Sequence, residues 1–296
     1  MIKSITAVQY MQPTRALLLL ALSAFLWSTS GLFIKLIDLN PLAIAGIRSL
    51  IAGTFMLIAL RGSLHFHFSF PQVAGALAYS LTMIFFVSAT KMTTAANAIL
   101  LQYTAPVFTA LLAAWLLKEK VTRFDWAIIG IVIGGMMLFF LDQLSLSGFW
   151  GNILGASSGL TLSFFILFMR MQKESSTIET VILGNLTTAI LCLPFFFQQA
   201  PTAVEWGILF YMGILQIGLS FVIFSTAIKF VPALDAILIQ ALDPLLNPVW
   251  VFLVIGEVPG RWAMLGGFIV LTAVTIRNIY ISRSKNARAA GLTKAH

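Results

Sequence analysis

KMTTAANAILLQYTAP, Lys91–Pro106, returns 138 residues later as KFVPALDAILIQALDP, Lys229–Pro244. Over residues 91–123, nine of 33 positions are identical at that shift, among them Lys91 with Lys229, Gln102 with Gln240, Pro106 with Pro244 and Glu119 with Glu257. Chance in so apolar a chain would give about two or three. The two copies therefore mark corresponding places in two halves of one molecule.

Outward from these copies the chain is a series of apolar runs. Of its 296 residues 59% are hydrophobic and 9% charged, and the mean hydropathy is +0.97. Soluble domains carry roughly 25% charged residues, so lipid rather than water is the main solvent of this chain. A spanning helix needs about 20 apolar residues. Windows of that size place spans near 16–36, 42–60, 71–90, 95–117, 124–141, 148–170, 178–197, 203–228, 234–255 and 261–282. Breaks between them hold Asn40-Pro41, Arg61-Gly62, Lys118-Glu119-Lys120, Lys173-Glu174, Pro201 and Pro259-Gly260, as turn chemistry requires. Ten spans leave no length for a separate soluble catalytic or nucleic-acid-binding domain.

Five spans per half is an odd number, so the second half enters the membrane from the opposite side and the repeats are inverted. The expected fold is an all-α membrane protein of ten transmembrane helices, with repeats at residues 1–142 and 143–284 and a basic tail at 285–296. The polar leader with Lys3 and Arg15 resembles a signal-peptide start, but Lys35 follows without a small-residue cleavage site, so the first span reads as uncleaved. Lys and Arg set orientation. With the N-terminus cytoplasmic, fourteen of them (Lys3, Arg15, Arg61, Lys118, Lys120, Arg123, Arg170, Lys173, Lys229, Arg277, Arg283, Lys285, Arg288 and Lys294) fall inside. Three, Lys35, Lys91 and Arg261, fall outside. Both termini are then cytoplasmic, and the expected location is a bacterial inner membrane. Trp126, Trp150, Trp206 and Trp262 each begin a span, where indole suits the headgroup level.

The net charge of +8 is spread over connectors and tail and forms no patch interleaved with aromatics, so no nucleic-acid partner is expected. A single cysteine, Cys192, excludes an intrachain disulfide and any CxxC pair. His65 and His67 form an HxH in a loop without the further ligands a metal needs, so they read as solvated loop residues and no metal or cofactor is expected.

The block TTAANAILLQYTAPVFTALLAAWLLKEK (Thr93–Lys120), its echo PALDAILIQALDPLLNPVWVFLVIGE (Pro232–Glu257) and Trp27-Ser28 in the first span resemble the drug/metabolite transporter superfamily, in particular its ten-helix EamA branch. The resemblance covers nearly the whole chain. It implies proton-linked or facilitative transport, often export, of amino acids, sugars, nucleotide derivatives or drugs, without a bound cofactor.

Several residues suit a central transport site. Pro106 and Pro244 lack an amide hydrogen, so each frees the carbonyl four residues back, on Gln102 and Gln240. Pro248 loosens a further turn, and both helices are expected to kink at a cavity. Asp243 lies near mid-membrane, where an acid costs about 2.5 kcal/mol or more and usually serves a function. It reads as a proton-coupling carboxylate, as a counter-charge for a substrate ammonium, or as a helix cap. Arg48, some six residues into the second span, reads as a receptor for a substrate carboxylate, a partner for a protein acid, or a snorkelling side chain. Trp27, Ser28, Tyr79, Tyr103, Ser163 and Gln216 complete a mostly apolar cavity with a few polar groups, each weighed against plain packing. Gly130 and Gly134 in the fifth span and Gly151, Gly155 and Gly159 in the sixth are spaced by four for close helix approach. That approach is read as internal to a protomer, with monomer and homodimer both open.

The function expected is secondary transport of a small amphiphilic metabolite, an amino acid or related compound, by alternating access. A non-transporting membrane scaffold or regulatory protein, and an integral membrane enzyme acting on lipid-linked substrates, are the alternatives. The enzyme would need clustered His and acids on one membrane face, which this sequence does not offer.

Overall fold

A computed structural model describes residues 11–116, 118, 122–141, 146–172 and 177–292. The readings made on Lys3, Glu119, Lys120, Lys173, Glu174 and Lys294 lie outside the described residues. Among those described, ten helices are long and apolar enough to cross a membrane. They are α1 (Thr14–Leu36), α2 (Pro41–Ala59), α3 (Phe70–Met92), α4 (Ala95–Leu116), α5 (Arg123–Leu141), α6 (Leu146–Met171), α7 (Thr177–Phe195), α8 (Ala203–Phe230), α9 (Leu238–Ile255) and α10 (Arg261–Tyr280). Helix extends back from α9 to Ala233 and onward from α10 to Leu292, so helical backbone runs on into the expected tail.

Local chemistry sets the ends. Proline opens α2 and α3, where its missing N–H has no helical acceptor to lose. Asn40 accepts from the Leu42 amide and Thr94 from Asn97, each satisfying an orphan donor. Thr202 and Glu205 form a capping box at the start of α8. Gly256, at φ 75°, closes α9 in the left-handed conformation that glycine adopts without a Cβ penalty.

The halves interlock. Helix α1 packs on α8 and α9, and α6 on α3 and α4; α2 meets α8 as α7 meets α3. The pairs α2 with α7, α4 with α9 and α5 with α10 also pack together. Adding or subtracting five from each helix number maps these pairs onto themselves, as a two-fold between inverted repeats requires. Hydrogen bonds sort the ends onto two faces. Lys35, Lys91, Thr93, Glu205 and Glu257 share one. His65 with Glu179, and Arg277 with Asp125, mark the other.

The expected kinks are sharper than bends. Helix α4 stops at Gln102 and resumes at Ala105, and α9 stops at Gln240 and resumes at Leu242. Tyr103 and Ala241 are equivalent under the 138-residue shift. Two interruptions have no sequence counterpart: α1 breaks at Thr29, and α8 winds as a π-helix over Tyr211–Leu219.

The glycine stripe on α6 permits its contact with α4. A Cβ on Gly159 would lie 3.0 Å from the Leu101 carbonyl oxygen, and one on Gly151 2.8 Å from the Thr93 amide. The reading of Gly130 and Gly134 needs correction. Both are exposed, and a Cβ on either would meet nothing within 4 Å. Gly135 instead makes the α5 contact, its Cβ position 3.2 Å from the Gly266 carbonyl oxygen.

Candidate functional site

At the level of the α4 and α9 breaks, a cavity of about 370 Å³ opens between the halves. Helices α1 to α4 line it from one half, and α6, α8 and α9 from the other. It lies where broken helices leave backbone groups free, as irregular backbone inside a membrane requires.

Arg48 reaches this cavity from α2 with 2% of its surface exposed. Its Nη2 lies 3.7 Å from Met83 Sδ, and its Nε has no hydrogen-bond partner. Among the described residues no acid pairs with it. Its side chain is turned into the protein interior rather than out to the surface. Facing residues on α9, Asp243 and Gln240 line the same space. Asp243 Oδ1 and Gln240 Nε2 are buried and unpartnered. Buried polar groups are nearly always satisfied, so Arg48 Nε, Asp243 Oδ1 and Gln240 Nε2, left without protein partners around one cavity, make it the candidate ligand site.

Tyr103 joins the two breaks. Its hydroxyl donates to the Gln240 carbonyl at 3.0 Å and stands 3.4 Å from Asp243 Oδ2. The Gln240 carbonyl is the one that Pro244 frees, so a side chain from the other half satisfies it.

Aromatics build the walls. Tyr79, whose hydroxyl accepts from Asn185 Nδ2 at 3.3 Å, packs edge to face on Phe221 with centroids 5.8 Å apart. Trp27 tilts against Phe221 and Phe224 at 5.1 and 5.3 Å. Gln216 projects from the π-helical stretch of α8 and donates to Thr29 Oγ1 at 3.4 Å, joining the irregular part of α8 to the break in α1. Gln102 lines the cavity opposite Gln240.

Eight of the residues singled out in the sequence thus share this space: Trp27, Arg48, Tyr79, Gln102, Tyr103, Gln216, Gln240 and Asp243. Ser28 and Ser163 do not, and their reading as cavity groups is corrected. Ser28 Oγ donates to the Phe25 carbonyl and accepts from Trp250 Nε1 at 2.9 Å. Ser163 Oγ lies 2.7 Å from the carbonyl oxygen of Ala105, where α4 resumes. Both serve the frame around the cavity. Thr82, Met83, Phe165 and Phe221 line it without having been singled out. Nothing distinguishes such residues from the rest of an apolar helix.

The loop histidines are held by their backbones, His65 N donating to Glu179 Oε1 and His67 N to Gln72 Oε1. Beside the central cavity lies a second of about 330 Å³, which shares Tyr103, Phe224 and Gln240 with it.

The EamA-like transporter family model matches the chain twice, over residues 14–141 and 149–279. An uncharacterised transporter of Bacillus subtilis (strain 168), YwfM, is 23% identical over 292 residues, covering 93% of this chain and 98% of that protein. An uncharacterised transporter of Archaeoglobus fulgidus is 25% identical, covering 90% and 97%. The pseudopaline exporter CntI of Pseudomonas aeruginosa is 23% identical over 194 residues, 64% of this chain and 66% of that one. A solved crystal structure shares the fold with a TM-score of 0.63 at 20% identity, covering 91% of this chain and 98% of its own.

Proposed function

The chain belongs to the EamA-like transporter family, and on that premise we propose that it is a secondary transporter for a small zwitterionic metabolite, an amino acid or related compound. It works by alternating access across a bacterial inner membrane.

One observation carries the reading: a buried arginine and a half-buried carboxylate, on opposite halves, open into one cavity, and neither forms an ion pair with a described residue, Asp243 meeting only the Tyr103 hydroxyl. Each unpaired charge in a bilayer is costly, and a ligand bearing a carboxylate and an ammonium group would satisfy Arg48 and Asp243 together. The aromatic walls of Trp27, Tyr79 and Phe221 would take its apolar side chain. A volume of about 370 Å³ is within the range of small-molecule sites.

The two halves then rock about this site, and the breaks in α4 and α9 supply the bending points. Asp243 is the proton-coupling group: a carboxylate facing the cavity can exchange substrate ammonium for a proton. Both termini lie in the cytoplasm, where the excess of Lys and Arg is placed. Export is the direction we favour, in keeping with the exporter named among the relatives.

Proteoliposomes holding the purified chain test the proposal. With a panel of amino acids and carboxylated amines, at least one zwitterion is expected to exchange, and a proton gradient is expected to drive it uphill. If none moves in either direction, with or without the gradient, the transport reading is lost.

A further inference from the structure

A central site needs a route to each side of the membrane. At the Lys35 face that route is shut by contacts within and between the halves. Lys35 Nζ lies 2.7 Å from Glu257 Oε2 and donates to the Thr93 carbonyl. The Ala95 amide donates to the same carboxylate at 2.7 Å. Lys91 Nζ donates to the Ile37 carbonyl, and the Asp38 amide to Glu205 Oε1. These contacts join the ends of α1, α3, α4, α8 and α9.

Beside the central cavity, on the side away from the Lys35 face, lies the second cavity. It is walled by Pro106 of α4, Ile228 of α8, Ala236 of α9, and Val274, Thr275 and Asn278 of α10. Ile228 and Asn278 lie near the ends of their helices on the face that bears Arg277. The residues shared with the central cavity, Tyr103, Phe224 and Gln240, form the partition between the two.

We propose that the second cavity is the vestibule through which substrate reaches the central site from the Arg277 face, and that Tyr103 is the gate between them. The inference rests on the transport reading above. Tyr103 closes by a hydrogen bond to the Gln240 carbonyl at 3.0 Å and a longer one to Asp243 Oδ2 at 3.4 Å. The Lys35 face closes by an ion pair and several charge-assisted bonds, each stronger than a neutral one. The Tyr103 side is therefore the side that opens from this state. A rotamer change in one tyrosine would make the cavities continuous. Among the described residues the polar groups of the vestibule are the hydroxyls of Tyr103 and Thr275 and the amides of Gln240 and Asn278, with no charged side chain. It suits an amphiphile of any charge, and discrimination falls to Arg48 and Asp243 beyond the gate.

Cysteine accessibility decides this without any knowledge of the substrate. The single native thiol, Cys192, is buried, so Cys192→Ala provides the background in the full chain. Thr275→Cys reports the vestibule and Met83→Cys the central cavity. Arg61→Cys and Gln199→Cys identify the two faces. The probe is the membrane-impermeant cation MTSET, applied to sealed vesicles of each orientation.

Thr275→Cys is expected to react from the same side as Arg61→Cys. Met83→Cys is expected to react from that side too, more slowly, and about tenfold faster once Tyr103→Ala is added, with Tyr103→Phe in between. Reaction of Thr275→Cys only from the Gln199 side, or from neither side, would overturn the vestibule. An unchanged Met83→Cys rate in both Tyr103 variants, in protein that elutes as wild type, would overturn the gate. Labelling needs no turnover, so absence of flux would refute transport and leave this result standing on its own.

Discussion

Replacing Arg48 with methionine should move stability and binding in opposite directions. Arg48 is 2% exposed, Nε is unpartnered, and Nη2 has only a sulfur contact at 3.7 Å. An arginine at the centre of a spanning helix costs about 2.5–3.5 kcal/mol, and among the described residues no acid pairs with it. Methionine keeps most of the side chain's length and its packing against Met83, so the substrate-free variant should be about 1–2 kcal/mol more stable, the usual direction when a functional charge is removed. Binding should suffer. Hydrogen bonds to a charged group contribute about 1.5–3 kcal/mol, which is roughly a 10- to 150-fold loss of affinity for a carboxylated substrate. Thermal unfolding of the purified chain, with and without the amino acid that flux assays identify, reads both effects at once. The midpoint without ligand should rise and the ligand-induced shift at a fixed ligand concentration should shrink in step with the lost affinity. A variant less stable than wild type that still gains the full shift from ligand would show that Arg48 is structural and refute the assignment.

Asp243→Asn should uncouple flux from the proton gradient while exchange of substrate for substrate continues, as counterflow in proteoliposomes would reveal. Uphill flux with an unaltered response to the gradient would remove Asp243 from coupling. Gly159→Val forces a side chain against the Leu101 carbonyl, 3.0 Å from the Cβ position, and should cost about 1–3 kcal/mol as overpacking does. Gly130→Ala, which meets nothing, should be neutral or gain up to about 1 kcal/mol in helix propensity; unfolding midpoints in one detergent compare the two. Ser163→Ala should lower stability by about 1 kcal/mol through the lost hydrogen bond to the Ala105 carbonyl, with the ranking of substrates in a flux panel unchanged.

The spans and both mid-membrane breaks were legible in the sequence because they rest on strong local signals. Apolar length marks a span, and a proline repeated at Pro106 and Pro244 marks the places where α4 and α9 are interrupted. The break at Thr29 and the π-helical turn of α8 carry no comparable mark. They belong to packing between distant segments, where Gly31 sits against Asn247 and Ala95 and Gln216 meets Thr29. Charge at depth was informative, since Arg48 and Asp243 both border the cavity. Serine was not: in an apolar helix its hydroxyl serves a ligand or a nearby carbonyl equally well. Only the fold places Trp250 beside Ser28 and Ala105 beside Ser163. Glycine spacing failed for the same reason. The interval of four on α5 matches that on α6, yet one stripe looks outward and the other is pressed on α4.

That stripe on α6 also sets an energetic asymmetry. Ideal inverted repeats exchange shapes to pass from one end state to the other, and the two states would be degenerate. Helix α6 packs on α4 through Gly151, Gly155 and Gly159, whereas α1, its counterpart, offers Ala16, Leu20 and Ala24 on its buried side. After the exchange α1 would have to make the approach that only Cβ-free positions allow, and α6 would give it up. On the proposed alternating-access reading the two orientations would therefore differ in energy, and substrate or proton binding would have to supply that difference.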